Sequence, residues 1–104
     1  MNAIETGIGG ARAIEFAAWF RCLSDPTRVR ILSVVARAAG PLTVGEIVDA
    51  VGRSQSTVSK HLHVLAEERF VFCEPDGIRT LVTANQSCMT ALPDAASEIM
   101  GVSE

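Results

Sequence analysis

The segment from Ser54 to Leu65, Ser-Gln-Ser-Thr-Val-Ser-Lys-His-Leu-His-Val-Leu, constrains this chain most. Small hydroxyl residues open it, as a helix N-terminus prefers. Val58, Leu62 and Leu65 then recur at i, i+4 and i+7, a thin apolar stripe on a helix. Gln55, Ser56, Ser59, Lys60 and His63 are left on the opposite face, with one cation and no acid. Such a helix buries its stripe and offers short donors and acceptors to something polar and negative. DNA fits best, because phosphates and base edges are read by these side chains. The bland alternative is a solvated face in a generic helical bundle, and the flanking sequence weighs against it.

Upstream, Thr43-Val-Gly-Glu46 matches a capping box, with the hydroxyl at N-cap and the carboxylate three residues on. It opens a short helix through Val51 with Val44, Ile47, Val48 and Val51 as its apolar positions, closed by Gly52. Two helices joined by a brief glycine-containing turn predict a helix-turn-helix. Downstream of Arg69 the period changes from 3.6 to 2. Phe70–Cys73 and Ile78–Thr83 flank Pro75-Asp76-Gly77, a strong hairpin signal. A turn centred on Asp76-Gly77 sets Glu74 opposite Arg79. Phe70, Phe72 and Leu81 share their face, with Val71, Cys73, Thr80 and Val82 on the other. A hairpin directly after a helix-turn-helix reads as a wing.

The rest of the chain supplies helices. Residues 1–10 contain three glycines and read as a flexible arm. Ala11–Leu23 is apolar almost all round, which suits a core or an interface. Asp25-Pro26 is an N-cap followed by proline at the first helical position. Val29, Ile31, Leu32, Val35 and Ala36 then carry a second helix that stops at Gly40-Pro41. Asn85 or Ser87 caps a last helix whose expected buried side is Ala91, Leu92, Ala95, Ala96, Ile99 and Met100. The expected fold is mainly α with one β-hairpin, in the order α-α-α-α-β-β-α, as a single domain over residues 11–104.

Charge tempers the DNA reading. The net charge is −3, so non-specific attraction to phosphate is modest. Its distribution helps: all nine basic residues lie between Arg12 and Arg79, and no acid falls between Arg53 and Ala66. Apolar residues make up 48% of 104 positions, a surplus that points to an oligomer interface. No apolar run approaches the roughly 20 residues that span a bilayer, and no basic signal-peptide start is visible. A cytoplasmic location without membrane contact is the default expectation.

These segments together carry a family resemblance. Leu23-Ser-Asp-Pro-Thr-Arg-Val-Arg-Ile-Leu32 resembles the opening of the core in ArsR/SmtB-type transcriptional repressors. Gln55 to Leu65 is similar to that family's recognition helix, and Phe70-Val71 with Asp76-Gly77-Ile78-Arg79 to its wing. The resemblance spans residues 12–100. It implies a homodimeric winged helix-turn-helix that holds double-stranded operator DNA and lets go when an inducer binds. It places Gln55, Ser56, Thr57, Ser59, Lys60 and His63 at DNA, with Arg53 adding phosphate affinity and Arg79 at phosphate or the minor groove. His61 falls at a position that holds the helix. The resemblance further implies that the first and last helices form the dimer interface.

The departures concern the inducer. The family's Cys-x-Cys site on the third helix is replaced by Thr43-Val-Gly45-Glu46, and its last-helix site lacks histidine here. Of a cysteine pair found in one subset, Cys88 alone is present. Cys22, Cys73 and Cys88 are widely spaced, and each is readable as a small buried hydrophobe. They also fall at element junctions, the end of the first helix, the base of the wing and the start of the last helix. Converging within one subunit or across a dimer, three thiolates would take a thiophilic ion such as As(III), Hg(II), Cd(II) or Pb(II). The alternatives are a thiol-redox or persulfide response, or a repressor without a metal effector. No organic cofactor is expected. His61 and His63 point to different faces, so they make no metal pair. Nothing resembles a nucleophile elbow, and an enzyme is not expected. Outside this class, the apolar first and last helices also suit a helix-pairing protein-interaction module.

Overall fold

Every element but one sits where local chemistry places it in the structure, a computed structural model that describes residues 4–102. The order is α1 (Gly10–Cys22), α2 (Pro26–Arg37), β1 (Leu42–Thr43), α3 (Val44–Val51), α4 (Gln55–Glu67), β2 (Val71–Asp76), β3 (Arg79–Ala84) and α5 (Cys88–Met100). Residues 4–9 form neither helix nor strand. The first three positions of the expected arm and the last two of the expected domain lie outside the described residues.

The caps explain the starts. Asp25 Oδ1 accepts from the backbone N–H of Thr27 at 2.8 Å and of Arg28 at 3.2 Å, with Pro26 in the first turn of α2. At α3 the capping box is complete. Glu46 N–H donates to Thr43 Oγ1 at 3.1 Å, and Thr43 N–H donates to Glu46 Oε1 at 2.9 Å. Gly52 ends α3 at φ 68°, a left-handed position where glycine escapes the Cβ clash. Ser54 Oγ accepts from Thr57 N–H at 3.2 Å and starts α4. The start of α5 departs from expectation. Neither candidate side chain caps its first turn; instead Asn85 Oδ1 accepts from Ser87 N–H at 3.1 Å, just before the helix.

The core gathers Ile31 and Val35 of α2, Ile47 and Val51 of α3, and the stripe Val58, Leu62 and Leu65 of α4. Phe70, Val71 and Val82 close it from the hairpin side. Each such side chain contributes about 1.5–3 kcal/mol when fully buried, and α4 is thereby fixed with its polar face outward. α2 ends at Arg37, short of the expected Gly40.

The sheet has three strands in the order β1-β3-β2. The sequence signals no β1, a two-residue strand that pairs Leu42 with Val82 and Thr43 with Leu81. The wing register also differs from expectation. Asp76 pairs with Arg79, and Glu74 with Leu81 rather than Arg79. The turn is Gly77-Ile78, with positive φ at Gly77 alone, the pattern of a type II′ hairpin. β2 therefore runs on through Pro75. Proline is tolerated there because β2 is an edge strand and owes no second neighbour an N–H. The displacement moves every pair by two, so the assignment of side chains to faces survives within the strands, but Phe70, expected on the face of Phe72, precedes β2 and is buried with Val71 and Val82. Cys73, expected at the wing base, is instead the third residue of β2, opposite Val82.

α1 and α5 behave unlike the rest. Of the expected buried side of α5 only Ala95 is buried; Ile99 is 46% and Met100 76% exposed. On α1, Phe16 and Cys22 are buried while Ile14 is 75% and Phe20 42% exposed. An ion pair joins Arg12 to Glu98 across the two helices, and the Arg12 guanidinium lies 5.0 Å above the Phe16 ring. Trp19, Cys88 and Leu92 pack against the core, while Ile14, Phe20, Ile99 and Met100 stay exposed among the described residues.

Candidate nucleic-acid interface

The core stripe of α4 decides which side chains face out. Gln55, Ser56, Ser59, Lys60 and His63 are all exposed, as is Arg53 in the turn before the helix. Thr57 is half-buried, and Ser54 Oγ donates to its hydroxyl at 2.9 Å, so it belongs to the helix start as much as to the outer face. Arg79 is exposed on β3. Thr43, Gln55, Ile78 and Arg79 line one open cleft, so the start of α4 and the wing tip present to the same side.

The structure adds acids that the stretch from Arg53 to Ala66 lacks. His63 Nε2 lies 2.8 Å from Glu67 Oε1, one turn further along α4. Arg79 Nη2 lies 3.1 Å from Asp76 Oδ2 across the wing. The first pair was legible at i, i+4 spacing; the second needed the true register. Glu46 is held below the usual carboxylate range, first by the Thr43 backbone N–H and then by its hydroxyl, with Arg79 a smaller influence.

His61 does not join the outer face. Its side chain is 18% exposed, with Nε2 3.8 Å from Asp25 Oδ1 and Nδ1 3.2 Å from Arg28 Nη1. Arg28 Nε also donates to the Cys22 carbonyl, and Arg30 Nη1 donates to the Val51 carbonyl at 2.9 Å. Two arginines of α2 thus brace both helices of the helix-turn-helix. Sequence reasoning missed them because both partners are distant in the chain.

The three thiols are free and separately placed. Cys22 is buried with Sγ 3.9 Å from the Val64 carbonyl, and Cys88 Sγ lies 3.4 Å from the Arg69 carbonyl. Cys73 is exposed on the wing. Desolvation pushes all three thiols up from the ordinary cysteine value. Among the described residues, no three Cys, His, Asp or Glu side chains gather closely enough to hold a metal ion. Convergence of the three thiols within one subunit is therefore not formed among the described residues.

A helix-turn-helix whose second helix shows a polar face, followed by a hairpin turned to the same side, defines a winged helix-turn-helix domain. Residues 25–71 match the bacterial regulatory protein, arsR family. The chain is 41% identical over 61 residues to a probable mercury resistance operon repressor of Streptomyces lividans. That match covers 59% of this chain and 47% of the relative, so the chain spans about half the length of that relative. It is 37% identical over 75 residues to the HTH-type transcriptional regulator Rv2034 of Mycobacterium tuberculosis, covering 72% of this chain and 67% of that one. Its fold matches the homodimeric winged helix-turn-helix DNA-binding domain of Mb0332 from Mycobacterium bovis, described as a possible ArsR-family regulator. The TM-score is 0.70 at 21% identity, over 96% of this chain and 91% of that one. The protein belongs to the arsR family of bacterial regulatory proteins. That family comprises DNA-binding transcriptional regulators, not enzymes. Among the described residues, no helix is long and apolar enough to cross a membrane.

Proposed function

We propose that the protein is a homodimeric repressor that holds double-stranded operator DNA through α4 and the wing. The observation that carries this is the exposed Gln55–His63 face, fixed by a fully buried stripe and flanked by Arg79 on the same side. Gln55, Ser56, Thr57, Ser59 and His63 read the major groove, while Lys60, Arg53 and Arg79 meet phosphate or the minor groove. The exposed apolar residues of α1 and α5 support a second copy as partner, and the Mycobacterium bovis neighbour is homodimeric. A gel shift against the DNA flanking the protein's own coding sequence tests the reading at two salt concentrations. Binding should be specific and weaken as salt rises; binding that is absent or indifferent to sequence would sink it.

The inducer in this proposal is a thiophilic metal or metalloid ion held by Cys22, Cys73 and Cys88 across the dimer. The name of the Streptomyces relative and the softness of thiolate ligands favour it. The ion shifts the dimer away from its DNA-binding form by binding the two forms with different affinity. Titrating the protein with Hg(II) or As(III) while following DNA binding tests this. An unchanged affinity, or a full response in the triple Cys→Ser variant, would reject the metal site. A thiol-redox or persulfide response is the second reading, favoured by the exposure of Cys73. The raised thiol pKa values weigh against it, since thiolates carry that chemistry.

A further inference from the structure

Behind α4, on the side away from the polar face, one guanidinium touches two elements at once. Arg28 is half-buried at the start of α2. Its Nε donates to the Cys22 carbonyl at the end of α1, and its Nη1 sits 3.2 Å from His61 Nδ1 on α4. A guanidinium has donors and no acceptor, so the Nδ1 lone pair must accept. The ring proton then sits on Nε2, which faces Asp25 Oδ1 at 3.8 Å. Asp25 is itself held in place by the N–H groups of Thr27 and Arg28 that it caps.

We propose that Arg28 is a positioning residue for DNA recognition: by bridging the Cys22 carbonyl and His61 Nδ1, it ties the end of α1 to α4 and fixes the rotation of α4 about its own axis. This rests on the reading of α4 as the DNA-reading helix. The buried stripe of Val58, Leu62 and Leu65 turns the polar face outward. A directional bond to a ring nitrogen adds a constraint on angle that apolar packing, being non-directional, does not supply. On a helix about 5–6 Å in radius, a rotation of about 10° moves a side-chain tip by about 1 Å. Short side chains such as Gln55 and Ser59 lose base-edge geometry over that distance, whereas a long lysine on a phosphate follows it. Loosening the tie therefore damages sequence preference before it damages general affinity. It also gives α1, at the proposed dimer interface, a direct connection to the DNA-reading face.

The test uses the full chain as wild type, Arg28→Gln, Arg28→Lys, His61→Gln and the double variant Arg28→Gln/His61→Gln. All are compared below their melting transitions; should Arg28→Gln unfold, Arg28→Lys carries the comparison, since lysine lacks the fork that serves two acceptors. The probes are duplexes enriched by the wild type from a randomised pool and scrambled duplexes of the same composition. Imidazole nitrogen shifts of the DNA-free protein should show His61 with its proton on Nε2 and a hydrogen-bonded Nδ1, the latter lost in Arg28→Gln. Affinity for the enriched duplex should fall about tenfold in each Arg28 variant, about 1.4 kcal/mol, with scrambled-duplex affinity and salt slope little changed. The double variant should lose no more than Arg28→Gln alone. A His61 proton on Nδ1, equal losses on both duplexes, or additive losses would overturn the proposal alone. No enrichment by the wild type would overturn the DNA reading itself, and this proposal with it.

Discussion

Asp76 and Arg79 face each other across the last rung of the wing, with Oδ2 3.1 Å from Nη2. Both side chains are more than half exposed, so the pair is weak, and it sits where the wing would meet phosphate. Asp76→Asn should free the guanidinium and remove a repelling charge. DNA affinity should rise on the order of threefold at low salt. The plot of log affinity against log salt should steepen by about one unit. A salt titration by fluorescence anisotropy reads both, and unchanged affinity would mean that Arg79 does not approach DNA.

Lys60 and Gln55 share the outer face of α4, and under the proposed function they divide the work. Lys60→Ala should weaken binding to all sequences alike and flatten the salt slope by about one unit. Gln55→Ala should relax preference at one base position by about 1–3 kcal/mol. Competition against single-base variants of the bound duplex separates the two, and identical profiles would contradict the division.

Arg69 ends α4 in the left-handed region at φ 62°, a conformation that burdens any residue with a Cβ. Its N–H donates to the Ala66 carbonyl at 3.0 Å and that of Phe70 to the Leu65 carbonyl at 2.9 Å, the paired bonds of a Schellman end. Arg69→Gly should relieve the strain and stabilise the fold by about 0.5–1 kcal/mol. Urea unfolding measures it, and a destabilised variant would show that the arginine stem packs usefully.

Stability should fall with acid, in part through two caps. Asp25 is held below the ordinary carboxylate value chiefly by the Arg28 backbone N–H, then by that of Thr27, and Glu46 by Thr43. The folded state therefore holds these protons less tightly than the unfolded chain. Their stabilisation is full above about pH 4, the unfolded value, and is lost as pH falls through the folded one. Asp25→Ala should be less stable near neutrality and lose less further stability on acidification. Parallel acid-side slopes for wild type and variant would refute this.

Metal binding by the proposed thiols should strengthen with pH. Desolvation raises each thiol, so protons must leave as the ion arrives. Affinity for Cd(II), followed by its thiolate absorption, should rise between about pH 6 and 8. A flat profile would point away from thiolate ligands.

Local signals carried most of the fold. The Asp25, Thr43 and Ser54 caps, the end at Gly52 and the buried stripe of α4 were legible because each acts within one or two turns of its own helix. The hairpin was legible as a hairpin, but its register was not. Pro75 reads as a turn residue until the sheet order shows it on an edge. The outer face of α4 was likewise readable, being the complement of three buried residues.

What lies across the chain was decided by tertiary packing alone. The grip of Arg28 on His61, of Arg30 on the end of α3, and the pairing of β1 with β3 join residues far apart in sequence, where no periodicity reports them. The separation of the three thiols is of the same kind, since spacing says which element bears a cysteine but not where that element packs. The sequence by itself determined a helix with a buried stripe and a polar outer face. The tertiary structure decided what holds that helix at its angle, because a directional contact between distant side chains exists only once the core has closed.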